Sequence, residues 1–594
     1  DGSPAMREAV GRSNIGPIVA SYAVKARTPD GTGKSSVVDV TALFVGDVKR
    51  LRPIDPEGGN TYGGWMTAKA DYKKDRSMLT GVTGGKGCVS VVGELSYGTT
   101  VSFLGLLDLW KDKPQSIVAR RTLRVLGDPE RRMRLCDQRL GLAAKAFKRF
   151  SDREQEAKTD YYACRRSILD SAGKVRPVVF YVDTAFDASA YAAVERGLLL
   201  WNDAFAKIGC KDVVRVEPFP ADPAFNDNSL YNNCVRRTGT SNSELYTASW
   251  VDPRSGEIVN ASVYVFHDIV KLVNNWRFIQ TAQADKSVRS VKLPREVMDD
   301  ALRYVVTHEV GHCLGFMHNM SASAVIPVDS LRSPSFTQKY GTTTSIMDYA
   351  RFNYVAQPTD KGVKLTPPEL GEYDYYVIKW LYSYLPGDKS AREEAETLET
   401  WVDEKAGNPM YRYGKQQVAS RYDPSALEED LGDDPLKASQ YGIKNLQYIS
   451  SHLNEWITDD PTAEHRKAFY DQIAKQYARY VNNVLYNVGG IYLTEAKDGT
   501  KARRFESVPR QRQKESLRWV LKQISSNEWL DNDDICRRFG LNMKYSPEIN
   551  NALAATLTKL YMNVTLSSFV AGKDPYTVAE FFGDLYTGVW DSAI

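Results

Sequence analysis

In the first part of the chain, apolar residues alternate with polar ones or run in short β-branched stretches. In the last third they recur every three or four residues. The stretches 17–24, 36–45, 88–92, 100–106 and 116–120 are punctuated by Gly, Pro and Asp. They predict an antiparallel, β-rich domain over 1–127. From 128 to 169 the pattern becomes charged and helical, which predicts a helical connector or pro-like segment over 128–173. Clean alternation of strand and helix follows over 174–385. Strands are expected at 176–183, 213–216, around 233–238 and at 258–266, the last of these as a sheet edge, with a turn at 250–257 before it. A helix over 188–208 places Val194, Leu198, Trp201 and Phe205 on one face and stops at Gly209. A second helix over 294–314 carries the inward stripe Val297, Ala301, Tyr304 and Val305. Thr366, Pro367, Pro368 and Glu369 form a capping box that opens a helix to about 385, ended by Pro386 and Gly387. The remainder, 386–594, reads as mainly amphipathic helices, including 437–456 and 464–486. One hairpin at 491–508 turns at Asp498 and Gly499.

This succession is an α+β multidomain fold, and composition agrees with it. A chain of 594 residues exceeds what one core serves, and 42% apolar, 25% charged and 11% aromatic residues suit globular domains with large cores. No apolar run approaches the roughly 18 residues a membrane-spanning helix needs. The net charge of +3 is spread in mixed sign, which excludes a nucleic-acid partner. Seven widely spaced cysteines, an odd number without a C-x-x-C pair, do not make a disulfide scaffold.

The candidate chemistry lies in one short window. The six histidines of the chain include His308, His312 and His318, which with Glu309 and Gly315 spell H-E-x-x-H-x-x-G-x-x-H. Residues four apart on a helix share a face, so His308 and His312 present two imidazoles to one point. Glu309 lies about 100° around the helix and borders that point as a general base. Gly315 can take positive φ and turn the chain back, so that His318 completes a tripod. Three protein ligands and one open position describe a single catalytic Zn2+. Upstream, Cys136 and Asp137 are candidates for capping the metal and blocking it. The acidic cluster Glu428, Glu429, Asp430, Asp433 and Asp434 could bind calcium, but its spacing is loose and it is expected as a solvated face. His452 and His465, on predicted helices without ligand-like neighbours, are expected to be structural.

With Met347 beyond the third histidine, in Thr344-Ser-Ile-Met-Asp-Tyr349, the motif resembles the metzincin clan of zinc endopeptidases over roughly 174–385. The resemblance implies a zinc-protease domain with a mixed sheet and an active-site helix. It implies Met347 as an apolar floor beneath the metal and Tyr349 as a group that binds zinc or stabilises the oxyanion. Asn319 matches no family's distinguishing residue. In domain order the chain resembles large secreted bacterial zinc metalloproteases of uncharacterised function. That resemblance implies a secreted, periplasmic or cell-surface protein, with a signal peptide or lipoprotein leader removed, expected as a monomer. The function expected is hydrolysis of peptide bonds in a peptide or protein substrate by a metal-activated water, with Glu309 as base and Tyr349 at the oxyanion. Two alternatives stand beside it: a non-enzymatic surface protein that binds host protein or glycan, and a zinc hydrolase of a non-protein substrate.

Overall fold

Alternating side chains explain the first strands of the computed structural model, which describes residues 2–16, 18, 20–27, 35–48, 51–53, 66–85, 87–103, 107–126, 133–170, 172–222, 225–240, 245–366, 369–387, 389–541 and 543–590. The chain forms two units: one of Asp1–Asp128, Lys148–Thr159 and Asn228–Leu230, the other of the remainder. The first contains α1 (Pro4–Ser13), β1 (Val24–Arg27) paired with β2 (Ser36–Val38), α2 (Thr41–Val45), and an antiparallel meander of β3 (Met66–Gly85), β4 (Cys88–Phe103) and β5 (Leu107–Arg124). Val91, Leu95, Tyr97 and Val101, spaced by even numbers, point to one face of the meander and are buried. Phe44 of α2 is buried as well, and a Cβ at Gly93 would come within 3.3 Å of its carbonyl oxygen. The predicted strand at 36–45 is therefore strand only at its start, and its end is the helix that approaches β4.

The second unit is built on a five-stranded sheet. After β6 (Ala144–Arg149) and β7 (Lys158–Ala163) come β8 (Val178–Val182), α3 (Ala188–Leu199), α4 (Trp201–Ala206), β9 (Val214–Pro218), β10 (Asn233–Thr238), β11 (Leu245–Val251) and β12 (Ile258–Phe266). The sheet order is β11-β12-β10-β8-β9, parallel except for antiparallel β11. The edges are thus β11 and β9, and β12, expected at an edge, lies inside. Its burial on both faces explains its run of apolar residues.

Next come α5 (Ile269–Thr281), α6 (Arg295–Cys313) and α7 (Pro334–Tyr340). Gly197 lets α3 and α6 cross closely, since a Cβ there would lie 2.8 Å from the Arg303 carbonyl oxygen. Trp201 donates to the Thr307 carbonyl at 3.0 Å and Thr307 Oγ1 to that of Gly197 at 3.1 Å. Val194, Leu198, Trp201 and Phe205 are fully buried, each worth about 1.5–3 kcal/mol of transfer free energy. These contacts set where α6 lies.

The segment expected as a helical connector contains β6 and β7 instead. Its backbone is paired over longer range than a helix allows: Ala143 N–H bonds the Gly315 oxygen at 2.9 Å, Met317 N–H the Gly141 oxygen at 2.8 Å, and Cys136 N–H the Tyr161 oxygen at 2.7 Å. The boundary at 127/128 lies outside the described residues.

Then follow α8 (Glu372–Tyr382), α9 (Ala391–Asp403), α10 (Pro435–Trp456), α11 (Glu464–Leu485), β13 (Ile491–Leu493), β14 (Phe505–Ser507), α12 (Arg510–Ile524), α13 (Asp533–Cys536), α14 (Ser546–Leu557), α15 (Tyr561–Ala571) and α16 (Val578–Trp590). The capping box expected at 366–369, of which 367 and 368 lie outside the described residues, does not open α8. Gly371 and Asp374 do, with the Asp374 carboxylate accepting from Gly371 N–H at 2.8 Å. β13 and β14 pair as the expected hairpin, with Gly499 at φ +84°. A second core joins α5 to these helices, marked by Phe278 stacked on Phe469 at 4.2 Å between ring centres.

The acidic cluster departs from the solvated face expected of it. Glu429 and Asp430 are buried, with Glu429 paired to Arg351 and Arg479. Asp434 caps α10 through Lys437 N–H at 3.1 Å. The counter-charges come from distant parts of the chain, so no local spacing announced them. His452 stacks on Trp456 and its Nδ1 bonds the Tyr448 oxygen at 2.8 Å, a structural role. All seven cysteines are free. Among the described residues no helix is long and apolar enough to cross a membrane.

Candidate metal centre

The helix α6 sets the first two imidazoles. His308 and His312, one turn apart, have ring centres 5.0 Å from each other. The helix ends at Gly315, whose φ of +100° and place 2.2 Å (from an added Cβ) to the Cys164 carbonyl oxygen admit no side chain. The chain then returns, clamped by the 141–143 stretch, and brings the His318 ring centre within 4.7 Å of His312 and 5.2 Å of His308.

The ring nitrogens divide into two sets. Each Nδ1 faces a carbonyl oxygen: His308 that of Ile346 at 2.8 Å, His312 that of Phe316 at 2.9 Å, His318 the Gln416 Oε1 at 3.0 Å. An imidazole donating from Nδ1 carries its lone pair on Nε2. The Nε2 atoms of His312 and His318 are 3.1 Å apart, and that of His308 is buried with no partner. Ligand atoms of all three residues lie within 4.8 Å of one another. Burial, together with the neighbouring imidazoles, holds His308 well below the ordinary histidine range and His318 down to about 4. Three imidazoles with their Nδ1 atoms engaged, ligand atoms within reach of one point and an orphaned buried nitrogen fit a zinc ion.

Glu309 borders this point. Its carboxylate accepts from Thr247 Oγ1 on the edge strand β11, and burial raises its proton affinity. Tyr349 packs against the histidines, its ring centre 4.5 Å from that of His318 and 5.5 Å from that of His308. Burial pushes its phenol up, so it stays protonated. Arg351 lies 4.6 Å from the Tyr349 ring centre and 3.7 Å from that of Trp276.

Met347 is fully buried under α6, and a Cβ at Gly311 would meet its sulfur at 2.3 Å. The turn that carries it is fixed by Asp374 of α8, which accepts from Ser345 Oγ at 2.6 Å and Ile346 N–H at 2.8 Å. Asn319, buried and unassigned by sequence, holds a distant strap: its Nδ2 donates to the Arg412 oxygen at 3.0 Å and its Oδ1 accepts from Gly414 N–H at 2.8 Å.

The structure therefore brings together His308, Glu309, His312, Gly315, His318, Met347 and Tyr349. It does not bring in Cys136 or Asp137, which lie outside the histidine cluster. Asp137 is bound instead by Arg139 at 2.6 Å, and burial raises the Cys136 thiol to about 12. Sequence reasoning missed Thr247, Asp374 and Gln416. Only Asp374 left a local signal, as an acidic residue at the third position of a helix.

Residues 290–594 match the family described as Met-zincin, and residues 1–166 match a domain of unknown function (DUF5117). No curated protein and no solved structure matches the chain. The Met-zincin match spans just over half of the chain, from α6 to its end, and takes in the three histidines, the Met347 turn and the strap that meets them. The chain belongs to the Met-zincin family.

Proposed function

We propose that this protein is a zinc-dependent endopeptidase in which Glu309 moves the proton and the sheet edge holds the substrate. The observation that carries the reading is the convergence of three imidazole Nε2 atoms while every Nδ1 is committed to a carbonyl oxygen. Structural zinc is closed off by four ligands, whereas three leave a position for reactants. When bound, zinc supplies Lewis acidity that makes water nucleophilic near neutral pH and polarises a carbonyl.

The chain's own groups do the rest. Glu309 follows His308 on α6 and has a proton affinity raised by burial, which suits a base that must work near neutrality and then hand the proton to the leaving amine. The protonated Tyr349 phenol is a donor for the oxygen on which charge develops. On β11 the outer edge offers backbone N–H and C=O groups that an extended peptide satisfies by adding a strand. Thr247, on that same strand, ties substrate binding to the base.

The test is cleavage of a broad mixture of unfolded proteins and peptides by the zinc-loaded chain, read as new amino termini. Cleavage that stops with a chelator and returns with zinc supports the reading. A fully zinc-loaded protein that cuts nothing in the mixture contradicts it.

A further inference from the structure

His308 and His312 are oriented by backbone that is local or packed directly beneath them, but His318 stands on a loop beyond the end of α6. A ring in that position has no helix to fix its rotation. Its Nδ1 is met by the side-chain oxygen of Gln416, 98 residues further along the chain, at 3.0 Å. The Gln416 amide is held in turn: its Nε2 donates to Glu428 Oε1 at 3.2 Å, and Glu428 pairs with Arg421 at 2.6 Å. The backbone of the strap is locked to the histidine loop as well. Met320 N–H bonds the Gly414 oxygen at 2.8 Å, and Asn319 holds Arg412 and Gly414 from the other side. A Cβ at Gly414 would sit 1.9 Å from Ser321 Oγ, so loop and strap touch without room for a side chain between them.

We infer that Gln416 is a positioning residue that fixes the tautomer and ring orientation of His318, so that the metal centre is completed by the 412–428 segment and not by the helix and its loop alone. The inference rests on the reading of the three histidines as a zinc site. The chemistry explains why the residue is an amide. Its carbonyl oxygen keeps the proton on Nδ1 and the lone pair on Nε2, while its NH2 group is claimed by the Glu428 carboxylate, which prevents the amide from turning its donor toward the ring. A carboxylate at 416 alone would face Glu428 with like charge, and an apolar side chain would leave Nδ1 without an acceptor.

The experiment uses the full chain and reads metal binding, not turnover. Zinc affinity is measured by competition with a chromogenic chelator, and ligand geometry by the visible spectrum of the cobalt(II)-substituted protein. Melting of the apo form checks that each variant is folded. Gln416→Leu is expected to weaken zinc by about 10–100-fold, the usual effect of removing a partner of a metal-bound histidine, and to change the cobalt spectrum while the apo protein still melts cooperatively. The double exchange Gln416→Glu with Glu428→Gln restores an acceptor facing His318 and a donor behind it, and is expected to recover most of the affinity. Unchanged zinc affinity in Gln416→Leu overturns the inference, and so does a double exchange as weak as the single variant. If the wild-type chain takes up no zinc, the metal reading itself falls and this one with it. Wild-type binding with an indifferent Gln416→Leu rejects the positioning role alone.

Discussion

His308 and His312 stand on α6, His318 stands beyond it, and the two kinds of position are held in different ways. The helix pair needs only 3.6 residues per turn and a crossing with α3 at Gly197. The loop histidine needs a glycine that turns under the Cys164 carbonyl, a clamp from residues 141–143, and an acceptor delivered by the 412–428 segment. Two of the three candidate ligands are therefore products of local geometry, and the third is a product of tertiary structure. One ligand set thus depends on three separate stretches of chain.

That comparison can be broken at several points. The largest effect is expected from His312→Ala, which removes a helix-borne ligand facing both other rings. Stoichiometric zinc should disappear in a metal analysis after gel filtration, while circular dichroism of the apo protein stays that of wild type. Zinc retained at one equivalent would mean that the site is not this tripod.

Next in size is Gly315→Ala. The substitution meets backbone 2.2 Å away at positive φ, so neither partner can yield cheaply. We expect a loss of about 1–3 kcal/mol or more in chemical denaturation, together with weakened zinc binding. Gly311→Ala, which meets the flexible Met347 side chain at 2.3 Å, should cost less. If the order of the two is reversed, the turn is not the constrained point.

The smallest effect concerns the buried acids behind the site. Ser323 bridges Asp348 and Asp430, through its N–H at 2.7 Å and its Oγ at 3.2 Å. Burial raises Asp348 to about 7, and burial with the facing Asp348 and Glu428 raises Asp430 well above the ordinary range. Folded chains then bind protons more tightly than unfolded ones, whose aspartates titrate near 3.8. Stability on this account falls as pH rises from about 4 through about 7, where Asp348 loses its proton, and falls further as Asp430 loses its own. Asp430→Asn, which removes one of the two charges, should flatten the fall in melting temperature between pH 5 and pH 8. An unaltered slope would show that the pair does not share its proton.

The same comparison explains what could be read from the sequence. The α6 helix, β10, β12, α10, α11 and the β13–β14 hairpin are elements whose own periodicity or turn residues specify them, and their expected bounds agree closely with those observed. The 128–173 stretch has the charge pattern of a helix, yet its backbone pairs with Gly315 and Met317 and across itself, as Cys136 N–H does with the Tyr161 oxygen, and sequence proximity reveals none of these partners. The acidic residues 428–434 read as solvated because Arg351, Arg421 and Arg479, which neutralise them, are not spaced to announce it. At the site, His308, Glu309 and His312 were legible because groups meant for one point on a helix obey its period, and Gly315 and His318 because their spacing completes the H-E-x-x-H-x-x-G-x-x-H motif. Thr247 and Gln416 were not, since a threonine on an edge strand and a glutamine in a loop carry no pattern of their own.

The central claim is that Glu309 moves a proton at a zinc site made by the three histidines. It is tested most directly by comparing peptide cleavage by the wild-type chain and Glu309→Gln, each loaded with one equivalent of zinc. The account predicts equal metal content and a rate about 10²–10⁴-fold lower in the variant. A zinc-loaded Glu309→Gln that cleaves as fast as wild type would contradict it.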